Sequence, residues 1–173
     1  MYTEDEMQVM ESDVVEFSSL ADGVVIGSLK ADGQVDVDAT KRLVARAGGK
    51  PCTFHRAIDQ TGDLLEAMRH VAQTGCVRVL SSGGAPNALQ GAETLAKMQL
   101  QAPEIQVIAG GGIVPDNVFS ILKKSGVRQI HGSFRCSAHE GTGNAVSLGE
   151  SDTLHRETSE ELVRASVDAM RSI

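Results

Sequence analysis

Three polar side chains follow a short apolar run in the segment "PCTFHRAID", residues 51–59: His55, Arg56 and Asp59. The imidazole of His55 can act as an acid, a base or a ligand, because its reference pKa of about 6.5 lies near neutrality. A buried histidine bonded to a neighbouring hydroxyl is the alternative. Arg56 can hold an anion in its planar fork or pair with Asp59 instead. Asp59 can orient His55 or Arg56, or cap the helix that follows.

A second stretch, "VIAGGGIVPDN", places Gly110, Gly111 and Gly112 between an apolar run and a helix that should start near Pro115. Three glycines let the backbone approach a ligand closely, and free N–H groups at a helix start attract anions. The alternative is a tight turn that simply needs glycine. Further along, "HGS" brings Gly132 and Ser133 to the end of another strand. We expect a ligand or phosphate site built from Ser82, Gly110, Gly111, Gly112, Gly132 and Ser133.

His131 should share a face of the last strand with Ser133, across a barrel mouth from His55. The two imidazoles would then hold a metal or flank a substrate, although such a pair does not select copper over other transition metals. The candidate catalytic groups are therefore His55, Arg56, Asp59 and His131. Schiff-base chemistry is disfavoured because no lysine lies within a predicted strand. Carboxylates are also scarce at the strand ends, which disfavours a carboxylate-pair glycosidase.

These side chains need elements to position them, and five apolar segments alternate with helical patterns. The segments begin at Asp22, Cys52, Arg78, Gln106 and Gln129. Such alternation predicts βα units and a parallel sheet. An additional helix precedes the first strand. It opens on a capping-box pattern, Thr3 followed by Glu6, and its apolar face is formed by Met7, Met10, Val14 and Phe17.

The polar residues gather at the carboxyl ends of several predicted strands, which is where barrel enzymes place their sites. Open α/β sheets use the same edge, but no G-x-G-x-x-G follows the first strand. We therefore expect residues 1–173 to form a single α/β domain of the TIM (β/α)8-barrel type. It would be incomplete, with about five of eight units. Residues 137–156, which contain several Gly and Ser, should form a mobile loop before the C-terminal helix.

Composition excludes some functions. Acidic residues outnumber basic ones 23 to 16, for a net charge of −7, which argues against a nucleic-acid partner. No apolar run is long enough to span a membrane, and the acidic start "MYTEDEMQ" lacks the features of a secretory signal. Three cysteines without CxxC spacing are typical of free thiols in a reducing compartment. We therefore expect a cytoplasmic protein.

In combination, "TFHRAID", "RVLSSGG", "GGGI" and "HGS" resemble the CutC family of copper homeostasis proteins, as do "DGVVIGSLKADGQVD" and "NALQGAETL". The resemblance implies a TIM barrel of which this chain supplies strands four to eight, with the first three units missing. It also implies copper as a ligand. The family's cysteine-containing N-terminal strands, the natural candidates for copper ligands, have no counterpart here. The family ending "HGSAR" is replaced by "HGSFRCSAH".

Three functions remain open. The first is a CutC-like protein that binds copper or a small ligand at the barrel mouth. The second is a phosphate-binding barrel enzyme that uses histidine acid–base chemistry. The third is a truncated, inactive chain. A five-stranded portion of a barrel also leaves two sheet edges unpaired, so we expect a homo-oligomer that covers them.

Overall fold

The computed structural model describes residues 2–137 and 156–172. A five-residue 3-10 helix, Arg56–Gln60, follows the second strand. In chain order the other elements are α1 (Glu4–Leu20), β1 (Val24–Ile26), α2 (Val37–Arg46), β2 (Cys52–Phe54), α3 (Leu64–Ala72), β3 (Arg78–Ser81), α4 (Ala92–Gln101), β4 (Gln106–Gly110), α5 (Pro115–Ser125), β5 (Gln129–His131), β6 (Arg135–Ser137), β7 (Arg156–Thr158) and α6 (Glu160–Arg171).

The first five strands form one parallel sheet in the order β1-β2-β3-β4-β5. Neighbours in the chain are therefore neighbours in the sheet. A barrel wall has this sequential order, whereas a doubly wound sheet reverses direction at a switch point. The predicted five βα units and parallel sheet are confirmed, and β1 and β5 are the edges of the described sheet.

Helix α1 begins where the sequence predicts. The Thr3 side chain accepts from the Glu6 N–H at 3.3 Å, and the Glu6 carboxylate accepts from the Thr3 N–H at 2.7 Å. The predicted apolar face is only partly buried: Met7 and Val14 pack into the core, but Phe17 is 58% exposed. The helix thus carries apolar surface that the described residues do not cover.

The core is mainly aliphatic, as the low aromatic content requires. It lies between the sheet and its helices, and its centre is fully buried. The largest side chains with less than 2% exposure include Leu43, Phe54, Ile58, Met68, Leu95 and Ile121. Burial of these groups holds the strands in the register that brings their carboxyl ends together.

One pair of strands was not predicted. β6 and β7 pair antiparallel, with Cys136 opposite Glu157. Both ends of the expected mobile loop, residues 137 and 156, therefore lie in strands. The interior of that loop falls outside the described residues.

None of the helices in residues 2–137 and 156–172 combines the length and the apolar character that a bilayer crossing requires.

Replacing Phe54 by alanine should lower the free energy of unfolding by about 3–5 kcal/mol, because the side chain is fully buried and its loss leaves a cavity. Phe119→Ala is the matched control, since Phe119 is 44% exposed. We expect the control to lower the free energy of unfolding by less than about 1 kcal/mol. Urea unfolding monitored by circular dichroism measures both, and equal losses would contradict the assigned core.

Candidate functional site

The loops after β2, β3, β4 and β5 meet at the carboxyl edge of the parallel sheet. They supply Arg56, Ser82, Gly111 and His131, each at or just beyond the end of its strand. The sequence predicts this gathering, because parallel strands end at the same edge.

Asp59 organises one side of this edge. Its carboxylate accepts from the Arg56 Nε at 2.8 Å and from the Ser81 hydroxyl at 2.6 Å. It also accepts from the backbone N–H and hydroxyl of Ser82 and from the N–H of Gly84. The Asp59 side chain is only 4% exposed. One buried carboxylate therefore ties the loop after β2 to the loop after β3.

The pKa of Asp59 reflects two opposing influences. Burial raises it, but the hydrogen bonds from Ser81, Ser82, Arg56 and Gly84 outweigh burial and hold the pKa below its ordinary value. Asp59 is therefore ionised at neutral pH, and its charge balances the Arg56 guanidinium.

The expectation that Asp59 caps the following helix is wrong. The cap of α3 is Asp63, whose side chain accepts from the N–H groups of Leu65 and Glu66. Asp59 lies in the 3-10 helix, where its carboxylate turns toward the loop after β3 and toward Arg56. Asp59 was also predicted to orient either His55 or Arg56, and of these two the structure shows the contact with Arg56.

Arg56 presents one nitrogen to the loop after β4. Its Nε bonds Asp59 and its Nη2 bonds the Ser82 hydroxyl at 2.8 Å. A side chain on Gly111 would begin 3.2 Å from Nη1, and Gly111 has a φ of 104°. The backbone conformation requires glycine here, and a Cβ would also crowd the Arg56 guanidinium. Among the described residues Nη1 has no hydrogen-bond partner, so it is available to a ligand.

The glycine loop is held by its carbonyl groups. The Gly111 carbonyl accepts from the Ala88 N–H, and the Gly112 carbonyl accepts from the Asn117 side chain at 2.7 Å. The Asn117 amide oxygen in turn accepts from the Val114 N–H. In the described part of the chain, the N–H groups of Gly111 and Gly112 have no acceptor. These donors lie beside the start of α5, where an anion is favoured.

A pocket of about 410 Å³ opens between this loop and the segment after β5. The ionisable residues among its described walls are Arg56, His131 and Arg135, with no carboxylate among them. The chain as a whole carries a net charge of −7. The pocket is thus a local basic site on an acidic protein.

His55 belongs to a different place. Its Nδ1 accepts from the Ala57 N–H at 3.3 Å and begins the 3-10 helix. The ring contacts Phe54 and lines an apolar groove beside β1, whereas His131 lines the basic pocket. Two strands separate β2 from β5, about 14 Å along the sheet. The structure does not bring His55 and His131 together.

In residues 2–137 and 156–172, no group of three His, Cys, Asp or Glu side chains is placed to hold a metal ion. Cys52 and Cys76 are buried, and burial raises the pKa of both thiols, that of Cys76 to about 11. They are protonated at neutral pH and poor metal ligands in that form. Cys136 is exposed.

Sequence reasoning missed Arg135 and Phe134. Arg135 lies on β6 and adds a second guanidinium to the basic pocket. Phe134 has a φ of 47°, which is rare for a bulky residue, and its ring lies against Gly132. Arg135 follows "HGS" closely in the sequence, so its place in the pocket could have been predicted. Nothing local predicts the backbone conformation of Phe134. Ser133 lies two residues beyond β5 and not on it, and its carbonyl accepts from the Thr158 hydroxyl.

Two backbone segments touch behind this site. A side chain on Gly91 would begin 1.9 Å from the Ser82 carbonyl oxygen, and one on Gly83 would begin 2.4 Å from the Gly91 carbonyl oxygen. Neither position can hold a side chain without moving the main chain. The loop after β3 is therefore fixed against the start of α4 by backbone contact.

Comparison with known proteins identifies the family. The CutC family matches residues 1–136. This chain belongs to the CutC family. A CutC family protein of Chromobacterium violaceum is 39% identical over 178 residues, which cover 98% of this chain and 72% of the relative. A CutC family protein of Xylella fastidiosa is 41% identical over 137 residues, which cover 78% of this chain and 51% of the relative.

Solved structures agree on the fold. A Streptococcus agalactiae crystal structure, described as a candidate copper homeostasis protein CutC, matches with a TM-score of 0.72 and 26% identity. It covers 76% of this chain and 66% of that one. A structure described as native KDPGal matches with a TM-score of 0.60 at 14% identity, which speaks for the fold alone. The predicted partial barrel-like α/β fold is confirmed. This chain spans between about half and three quarters of the curated relatives cited here.

Replacing Asp59 by asparagine should lower the free energy of unfolding by about 3 kcal/mol at pH 7, because buried donors lose a charged acceptor. Since the folded-state pKa of Asp59 lies below the ordinary 3.8, its contribution is complete above that value. It is lost as the pH falls through the folded-state pKa. Denaturant unfolding of both proteins at decreasing pH measures the difference, which should shrink below about pH 4.

Asp168→Asn is the control for this series. Asp168 is 73% exposed and lies 3.6 Å from Arg171, so the change should cost less than about 0.5 kcal/mol at every pH. A stability difference between wild type and D59N that stayed constant down to about pH 2 would contradict the lowered pKa.

Proposed function

We propose that the basic pocket binds a small molecule carrying a phosphate or carboxylate group. The observation that carries this proposal is the charge of the pocket. Its described walls hold two guanidinium groups and one imidazole, without a carboxylate, in a chain of net charge −7. A wall of one sign in a concave site concentrates ligands of the opposite sign.

The geometry around Arg56 supports the same proposal. Asp59 and Ser82 hold the guanidinium in place before a ligand arrives, so little side-chain entropy is lost on binding. Asp59 balances part of the Arg56 charge, and Arg135 adds a second positive group. The nearby N–H groups of Gly111 and Gly112 supply uncharged donors. Arg56, these donors and Arg135 would contact the anion from different sides.

His131 gives the pocket a group that can exchange a proton with a bound ligand. It is exposed at the end of β5 and lines the same wall as Arg135. An enzyme that binds a phosphate-bearing substrate through Arg56 would use His131 for acid–base chemistry. His55 is outside this pocket and does not take part in the proposal. An enzymatic reaction and a cytoplasmic location both stay predictions.

Copper is the second candidate, supported by the family and by the description of the Streptococcus agalactiae structure. The described residues do not fit a resident copper ion at the barrel mouth. His55 and His131 line separate pockets, and the described chain offers no three-ligand group. A role in copper handling would therefore use ligands other than this pair of histidines.

Arg56→Ala should weaken the binding of inorganic phosphate at least about tenfold, because it removes the fixed guanidinium. Arg135→Ala should weaken phosphate binding about threefold to tenfold, since that side chain is exposed and screened by solvent. Arg56→Lys keeps the charge but loses the planar fork. Its dissociation constant for phosphate should lie between those of the alanine variant and wild type. Isothermal titration at low ionic strength measures each dissociation constant.

Arg128→Ala is the charge-matched control, because exposed Arg128 precedes β5 but does not line the pocket. We expect less than about a twofold change. If Arg128→Ala weakened phosphate binding as much as Arg56→Ala, the effect would be one of overall charge and the proposed site would be abandoned. The same would follow if wild type bound no phosphate at 10 mM, roughly the weakest affinity worth calling a site.

For copper, the double variant His55→Ala with His131→Ala should keep the Cu(I) affinity of wild type within about twofold, because the two imidazoles cannot share an ion. Competition with a chromophoric Cu(I) chelator under reducing conditions measures it. Cys136→Ser is the comparison, since Cys136 is the exposed thiol. If the double histidine variant bound Cu(I) tenfold more weakly than wild type, a copper site at the barrel mouth would be supported after all.

A further inference from the structure

The basic pocket is much larger than the anion that its donors would bind. Its volume is about 410 Å³, within the range of roughly 300–1,000 Å³ that is typical of small-molecule sites. An inorganic phosphate would fill only a small part of this volume. The walls beyond the donors therefore indicate what else the ligand carries.

Much of the remaining described wall is apolar. Six side chains without a polar group contribute to it: Leu80, Ile113, Val114, Pro115, Phe134 and Leu162. They come from β3, from the start of α5 and the loop before it, from the segment after β5, and from α6. A ligand with an apolar body would gain free energy by burying its surface against them.

The same walls offer few partners to hydroxyl groups. Asp, Glu, Asn and Gln side chains are absent from the described lining. Backbone carbonyl groups on both sides of the pocket already accept hydrogen bonds from the protein. These are the carbonyl groups of Gly111, Gly112, Ser133 and Phe134. Because a buried hydroxyl without a partner costs free energy, the pocket disfavours a polyhydroxylated ligand such as a sugar phosphate.

Phe134 supplies an aromatic ring to this wall. The ring is close enough to Gly132 that a Cβ there would begin 2.8 Å from it. A φ of 47° is unfavourable for so bulky a residue and persists only where the surroundings hold it. The Phe134 carbonyl accepts from the Ser159 N–H at 2.9 Å, and the carbonyl before it accepts from the Thr158 hydroxyl at 3.2 Å. β7 and the start of α6 therefore hold the ring beside the pocket.

The ring lies within reach of an anion bound at the glycine loop. β4 and β5 are neighbours and end opposite each other, at Gly110 and His131. Neighbouring strands are about 4.8 Å apart. The donors of the glycine loop directly follow β4, and Gly132, which adjoins the Phe134 ring, directly follows β5. A group attached directly to the anion would therefore meet the ring.

We infer that the ligand of the basic pocket is an anion attached to a planar apolar body about the size of one aromatic ring, and that Phe134 determines this preference. Arg56 and the N–H groups of Gly111 and Gly112 hold the anion, and the body packs against Phe134 and Leu162. Contact between two rings adds to the gain from apolar burial. This inference rests on the function proposed above, because it concerns the same pocket.

Two phosphate monoesters separate the contribution of the body from that of the anion. Phenyl phosphate and glycerol 3-phosphate are both dianions at about pH 8, but the first carries a ring and the second carries two hydroxyl groups. Isothermal titration of the full chain should show at least about tenfold tighter binding of phenyl phosphate. Arg56→Ala should weaken the binding of both esters, since they share the anion.

Substitutions of Phe134 test its role through the ratio of the two dissociation constants. Phe134→Ala removes the ring and should lower the ratio to about threefold or less. Phe134→Leu keeps apolar bulk without the flat ring, so its ratio should lie between those of the alanine variant and wild type. Phe119→Ala is the matched control, because Phe119 is 44% exposed on α5 and does not line the pocket. It should keep the wild-type ratio within about twofold.

The results distinguish this inference from the proposed function. If wild type bound inorganic phosphate but held the two esters equally or preferred glycerol 3-phosphate, the inference would be overturned while the proposed anion site stood. It would also be overturned if both Phe134 variants kept the wild-type ratio, if Phe119→Ala lowered the ratio as much as Phe134→Ala, or if phenyl phosphate binding survived Arg56→Ala. If inorganic phosphate and both esters failed to bind at about 10 mM, the proposed function itself would fail.

Discussion

The buried carboxylate of Asp59 is the interaction on which the basic pocket depends. It receives hydrogen bonds from groups on two neighbouring loops, including both the backbone and the hydroxyl of Ser82. A buried charge is tolerated only when its acceptor sites are filled. The requirement to fill them fixes the loops after β2 and β3 relative to each other. It also fixes Arg56, whose position is thus set by folding before any ligand binds.

Two surfaces of opposite character lie on either side of the loop after β2. Toward β5 the pocket presents Arg56, Arg135 and His131, whereas toward β1 the groove presents apolar side chains and Asp13. The 3-10 helix after β2 separates them, since His55 at its start faces one and Arg56 faces the other. Two adjacent residues thereby serve different surfaces, so the run "HRAID" does not represent one catalytic group.

Local patterns predicted the elements well. The capping box at Thr3 and the βα alternation are encoded within a few residues of where they act. Side-chain partners were less predictable, because they depend on how loops fold back. Asp59 and Asp63 both precede α3, and only the path of the 3-10 helix decides which of them caps it. His131 was expected across a barrel mouth from His55, but β3 and β4 separate their strands in the described sheet.

The backbone contact between Gly83 and Gly91 leads to an asymmetry in how this pocket can change over evolution. On that side the main chain itself sets the shape, and almost any substitution there would displace Ser82 and with it Arg56. On the opposite side, Ser133 and Arg135 contribute exposed side chains to the wall, and these can be exchanged at little structural cost. Changes in the shape and charge of the pocket would therefore accumulate after β5, while the wall held by Asp59 stays the same.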